Sequence, residues 1–278
     1  MNIISASILT LGALGIFFGL VLAYAARKFS VPVDPTIERI LVFLPGANCG
    51  SCGKAGCQGF AQALLKGEMN LESCSVMAEQ NRQAIADILG LKLTHKEKLV
   101  SSLHCCGGLH AKDRFIYEGI EDCIAASLTM GGQKECRWGC LTFGTCVGAC
   151  PFGAIEMTGE GYPRVIEEKC TACGICVQTC PKNLYTLIPF DARRAPIYVA
   201  CSSLDNGKAV LTVCGTGCIA CRKCEQVCPK GCMKVVDNLA RIDYAICDGC
   251  GQCVRVCPTK VIKVRAAESS ASKGETTS

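Results

Sequence analysis

A chain of 278 residues that is half hydrophobic and carries 26 cysteines is too long and too apolar to need a disulfide scaffold, the resort of short secreted domains with small cores. Its cysteines instead favour thiolate ligation of metal in a reducing compartment. The formal charge of +5 counts every thiol as neutral. A cubane held by four thiolates carries about −2, so five of them would bring the chain to about −5, and the basicity is no argument for nucleic acid.

The span from Ile3 to Ala26 holds no charged residue, and as a helix rising about 1.5 Å per residue it is long enough for a bilayer core of about 30 Å. Ala23-Tyr24-Ala25 has the small-residue form of a signal-peptide cleavage site, but no Lys or Arg precedes the apolar run, whereas Arg27 and Lys28 follow it. That order is reversed for a signal peptide and right for an anchor whose C-terminal side lies in the cytoplasm. Residues 1–28 are therefore expected to be a single-pass transmembrane anchor. Gly12, Gly15 and Gly19 offer either a helix-packing face or lipid-facing filler, and Pro32 and Pro35 end the helix in a stiff linker.

Residues 33–92 read as a domain for a single cluster. Cys49, Cys52, Cys57 and Cys74 are spaced C-x2-C-x4-C-x16-C, and Gly46, Gly50, Gly53, Gly56 and Gly59 make a loop able to wrap a cluster closely. Four thiolates suit zinc as well as iron-sulfur, so zinc stays open on spacing alone. After Cys74, Val76, Met77, Ala84, Ile85, Ile88 and Leu89 recur with a helical period that closes the domain.

Residues 100–193 and 197–265 read as two copies of one unit. In the first, Cys136, Cys140, Cys146 and Cys150 precede Pro151, and Cys170, Cys173, Cys176 and Cys180 precede Pro181. In the second, Cys218, Cys221, Cys224 and Cys228 before Pro229, and Cys247, Cys250, Cys253 and Cys257 before Pro258, are two complete C-x2-C-x2-C-x3-C-P runs. These are the bacterial-ferredoxin spacing, in which the fourth thiolate of each run crosses to the other cubane of the pair. The copies align at an offset of 77 across Arg164 to Pro181 and of 78 across the preceding run. Four ligand sets are thus expected: Cys136, Cys140, Cys146 and Cys180; Cys170, Cys173, Cys176 and Cys150; Cys218, Cys221, Cys224 and Cys257; and Cys247, Cys250, Cys253 and Cys228. Cys214 competes with Cys221 for the third set, and Cys221 is preferred because it completes the standard spacing.

Cys105, Cys106, Cys123, Cys201, Cys214 and Cys232 remain, without a metal-binding run. They read as buried thiols, with a sixth cluster and a Cys105–Cys106 redox disulfide as the alternatives. Five 4Fe-4S clusters are expected, and a sixth is left open. Arg193, Arg194, Arg222, Lys223, Lys230 and Lys234 form local basic patches that either steer an acidic electron carrier or are ordinary solvated side chains. The tail 266–278, rich in Ser and Thr, is expected to be disordered. No glycine-rich dinucleotide fingerprint follows a strand, and His95, His104 and His110 form no nucleophile-base set, so no catalytic side chain is nominated. The expected class is α+β: one N-terminal transmembrane helix, a small one-cluster 4Fe-4S domain, then two tandem bacterial-ferredoxin-like two-cluster modules.

An N-terminal membrane helix, PGANCGSCGKAGCQGFA with Cys74, then YEGIEDC, GGQKECRWGCLTFGTCVGACPFGAI and the ferredoxin runs resemble the B-type subunit of the Rnf electron-transport complex over residues 1 to about 265. The resemblance implies the relay subunit of an ion-translocating ferredoxin:NAD oxidoreductase, moving sodium ions or protons. Such a subunit would take electrons from soluble reduced ferredoxin and pass them to membrane and peripheral partner subunits, with the nicotinamide chemistry on another chain. It would sit in the bacterial inner membrane with its iron-sulfur domains on the cytoplasmic side. Two alternatives remain: a related complex that reduces a redox-sensing transcription regulator, whose shorter subunit lacks the second module, or a metal-binding docking or assembly protein without turnover.

Overall fold

The computed structural model describes residues 3–29, 34–91, 93, 98–190 and 197–264. Pro32, Arg193, Arg194 and the tail from Ala266, on which sequence expectations fall, lie outside them.

The uncharged span forms α1 (Ile3–Lys28). Its large apolar side chains from Ile8 to Tyr24 are exposed, unlike those of a core helix. Among the described residues, Ser7–Lys28 is the one stretch long and apolar enough to cross a membrane. A Cβ added at Gly12, Gly15 or Gly19 meets nothing within 4 Å, so the described residues supply no packing partner for that face.

The single-cluster domain is helical. Asp34 caps α2 (Pro35–Phe43), its carboxylate accepting the Thr36 N–H at 2.8 Å, and Pro35 stands in the first turn, where no N–H is needed. α3 (Cys57–Leu65) and α4 (Glu79–Leu89) pack on α2 around the fully buried Ile40, Phe60 and Ile85. α4 carries much of the expected stripe, with Ile85 buried and Ala84, Ile88 and Leu89 half-buried. It opens at Glu79, just after the N–H groups of Val76 and Met77 have turned toward the Cys74 sulfur.

The two ferredoxin-like modules share one topology. In the first, β1 (Leu99–Leu103) pairs antiparallel with β4 (Tyr185–Pro189), Leu99 opposite Pro189, and β2 (Ile155–Met157) forms a hairpin with β3 (Pro163–Val165). The short helices α5 (Cys123–Leu128), α6 (Thr145–Gly148) and α7 (Ile175–Thr179) lie between these strands in the chain. In the second module, β5 (Ile197–Val199) pairs with β8 (Ile262–Val264) and β6 (Met233–Val236) with β7 (Leu239–Ile242). Its helices are α8 (Gly207–Val213), α9 (Lys223–Val227) and α10 (Gln252–Val256). The chain is therefore α+β, and in each module the first strand meets the last while a central hairpin joins the two cysteine runs.

The cluster loops need left-handed backbone. The residue before α6, α7, α9 and α10 is Gly144, Gly174, Arg222 and Gly251, all with φ between 59 and 78. Only Arg222 carries a side chain there, at a cost of about 1–2 kcal/mol for an L-residue. Because Arg222 is exposed and loses little packing, Arg222→Gly is expected to stabilise the holo chain by about 1 kcal/mol. Chemical denaturation under anaerobic conditions checks this; a loss of stability would contradict it.

The modules are joined along the segment that leaves β1. Cys106 donates its N–H to Ala200 at 3.1 Å, Lys112 to Val213 at 2.9 Å, and Ala111 forms a β-bridge with Cys214. The His104 ring nitrogens sit 2.8 Å from the Val199 carbonyl and 2.6 Å from the Thr186 hydroxyl, touching both modules. Lys134, buried, holds this segment from beneath, donating to the carbonyls of Gly108 at 3.0 Å and Ala111 at 3.1 Å and pairing with Asp113 at 3.1 Å.

Candidate metal centres

In the membrane-proximal domain a tight glycine loop delivers three cysteines to the start of α3. Asn48 accepts the Cys57 N–H at 2.8 Å, and a Cβ on Gly56, at φ +90, would strike the Asn48 side chain, so this position needs glycine. Cys74 arrives buried from the far side of the domain and faces Cys52 and Cys49. Burial pushes its thiol up, and the N–H groups of Val76 and Met77 act in the opposite sense. A single zinc would need its donors about 2.3 Å from one point, whereas among the described residues no three potential ligands converge tightly enough for one ion.

In the first module, Cys150, Cys170, Cys173 and Cys176 line one pocket. Ser101 reaches it from β1, its hydroxyl 3.0 Å from the Cys176 sulfur and its N–H donating to Cys170 at 3.4 Å. Ala154 N–H donates to Cys150 at 3.4 Å. Cys173 also feels the thiol of Cys49, so the membrane-proximal loop stands beside this centre.

The other pocket of this module differs from expectation. Cys140, Cys146 and Cys180 line it, but the fourth cysteine is Cys123, not Cys136. The inserted segment between β1 and β2 carries α5 back to the cluster loop. Asp122 caps α5 and accepts the Thr145 hydroxyl at 2.8 Å, while Thr145 accepts the Cys123 N–H at 2.7 Å. Cys136 does not line this pocket and lies within electrostatic range of Cys214 and Asp205 of the second module. The missed signal was an Asp-Cys pair at a helix start within YEGIEDC, a position that spacing within a run does not reveal. Tyr185 donates its hydroxyl to the Cys146 sulfur at 3.2 Å, and burial keeps that phenol protonated. Burial pushes the Cys140 thiol up to about 12, and a cluster iron held here would offset that cost.

In the second module, Cys218, Cys221, Cys224 and Cys257 line one pocket, and Cys214 is not among them. Cys253 faces Cys247, Cys250 and Cys228, the expected fourth set. Cys232, which spacing left unexplained, stands with its sulfur 3.3 Å from Cys228 and also contacts Cys247. It occupies the place of Ala154 in the first copy.

Family models match where these loops lie: an Fe-S cluster family over residues 44–76, a 4Fe-4S dicluster domain over 135–184 and a 4Fe-4S binding domain over 240–263. The B-type subunit of the ion-translocating oxidoreductase complex of Methanosarcina acetivorans is 39% identical over 260 residues, covering 93% of this chain and 97% of that protein. The chain belongs to this B-type subunit family. The corresponding subunit of the Na(+)-translocating ferredoxin:NAD(+) oxidoreductase complex of Acetobacterium woodii is 41% identical over 89% of this chain and 74% of its own length. The proton-translocating counterpart of Clostridium ljungdahlii is 38% identical over 89% and 87%. As a member of this family, the chain is part of a multi-subunit ion-translocating oxidoreductase and carries 4Fe-4S clusters for electron transfer. Membership and α1 together make it a membrane-anchored protein.

Proposed function

We propose that this chain accepts electrons one at a time from reduced ferredoxin and relays them through cubanes toward membrane partners of an ion-translocating ferredoxin:NAD oxidoreductase. The observation that carries the reading is the continuity of the thiol sets. Cys49 stands beside Cys173, and in each module the fourth thiol of one run faces the other run, Cys180 meeting Cys140 and Cys257 meeting Cys224.

Exposure supports a direction. Cys221 and Cys250 are exposed, whereas no proposed ligand in the other two units is, so the second module is the electron entry and Cys49 lies near the exit. The exposed Arg222, Lys223, Lys230 and Lys234 around that entry raise the encounter rate with an acidic carrier. Arg27 and Lys28 at the end of α1 support a cytoplasmic side for the cluster domains. Cluster potentials follow from charge, hydrogen bonds to sulfur and burial, and one-electron steps between clusters require no acid or base.

Redox titration with EPR detection on the anaerobically reconstituted chain tests the proposal. At least four clusters are expected to cycle and to be reduced by ferredoxin. Fewer than four cycling, or none reduced by ferredoxin, overturns it.

A further inference from the structure

Four cysteines outside these centres meet where the modules join, and they come in two repeat-related pairs. Cys105 leaves β1 and Cys201 leaves β5, and their surroundings correspond. The Cys105 sulfur accepts N–H groups from Gly107 at 3.5 Å and Cys140 at 3.4 Å. The Cys201 sulfur accepts them from Ser203 at 3.4 Å and from Cys218, where Cys218 is the counterpart of Cys140 at the offset of 78. The second pair, Cys136 and Cys214, stands at the same offset of 78. Trp138 N–H points at Cys136, and the hydroxyl of Thr216, the counterpart of Trp138, lies 3.6 Å from the Cys214 sulfur.

The pairs face one another. A Cβ built on Gly107 would stand 3.5 Å from the Cys214 sulfur and 3.6 Å from the Cys105 sulfur, so both border one small space. Cys136 lies within electrostatic range of both Cys214 and Cys201. Cys105, Cys136 and Cys214 are buried and Cys201 is half-buried. A buried neutral thiol packs as a small hydrophobe and asks for no hydrogen bonds. Backbone N–H groups directed at sulfur instead suit thiolates, and they recur at the centres above, Thr142 to Cys140 and Ala154 to Cys150. A Cys105–Cys106 disulfide does not fit this arrangement: both thiols are free, and the Cys106 sulfur is turned to the Thr216 carbonyl, 4.0 Å away.

We propose that Cys105, Cys136, Cys201 and Cys214 hold a further 4Fe-4S cubane at the module junction. Cys105 accepts the N–H of Cys140, a thiol of the first module's Cys123 pocket, and Cys201 accepts that of Cys218, a thiol of the second module. The junction cubane therefore bridges the two modules and closes the step between them. The inference rests on the relay reading, since it assumes that the other five sets carry cubanes.

Native mass spectrometry of the anaerobically reconstituted full-length chain tests it, together with iron and acid-labile sulfide counts. Six cubanes, about 24 irons, are expected. Five cubanes with these four thiols open to alkylation overturn the junction site and leave the relay standing, whereas no cubanes overturn both. Cys136→Ser and Cys214→Ser are each expected to lose one cubane, about four irons, and keep the rest; an unchanged iron count overturns the site. If either variant fails to fold, the cubane count of the unaltered chain decides alone.

Discussion

Cys123→Ala is expected to remove one cubane from the reconstituted chain, lowering iron by about four per chain, and to interrupt electron flow between the modules and the membrane end. The geometry behind this is specific. Cys123 shares its pocket with Cys140, Cys146 and Cys180, and the Thr145 hydroxyl ties it there. Alanine keeps the first turn of α5, whose cap is Asp122 and not the thiol, and it is the best helix former. Losing one buried sulfur costs about 1 kcal/mol in packing, small beside the loss of an iron ligand. Ferredoxin should still reduce the second module while Cys49-side clusters stay oxidised, which freeze-quench EPR resolves. Cys136→Ala is the control: it should spare the signal of the Cys123 centre, because Cys136 does not line that pocket. Retention of full iron by Cys123→Ala, or loss of the Cys123 signal in Cys136→Ala, would restore the ligand set read from spacing.

Removal of residues 1–28 is expected to move the protein from the membrane pellet to the supernatant with its iron content unchanged. Ser7–Lys28 has a mean hydropathy of 2.2 and none of its most apolar window is buried against the rest of the chain. Such a helix inserts into a bilayer almost irreversibly, unlike a peripheral contact. The domain core built on Ile40, Phe60 and Ile85 does not include it, so the cluster domains should fold without it. Carbonate extraction measures the partition, and the mass of the mature N-terminus separates an anchor from a cleaved signal. A mature chain starting after Ala25 would refute the anchor.

Much of the site was legible because a cysteine run is local. Cys170, Cys173 and Cys176 reach one pocket from a single loop, so spacing and glycine positions suffice to place them. The exchange of Cys180 and Cys257 was legible too, since a run of that spacing implies a partner cluster. The charge-free span from Ile3 to Ala26 needed only length and hydropathy. By contrast, the run that suggested Cys136 did not reveal Cys123, because Cys123 reaches the pocket on α5, from an inserted segment earlier in the chain.

The sequence by itself determined the class of chemistry, the long apolar helix and which cysteines share a loop, because these depend on residues close together in the chain or on hydropathy. Tertiary structure decided which distant thiol completes a set. Cys123 is tied to its pocket by Thr145 and Asp122, while Cys105, Cys136, Cys201 and Cys214 are brought near one another by Lys134, the Ala111–Cys214 bridge and the seam from Cys106 to Ala200. Those contacts join segments far apart in the chain, and the energy of forming them is set by packing between modules, which no spacing within one module encodes.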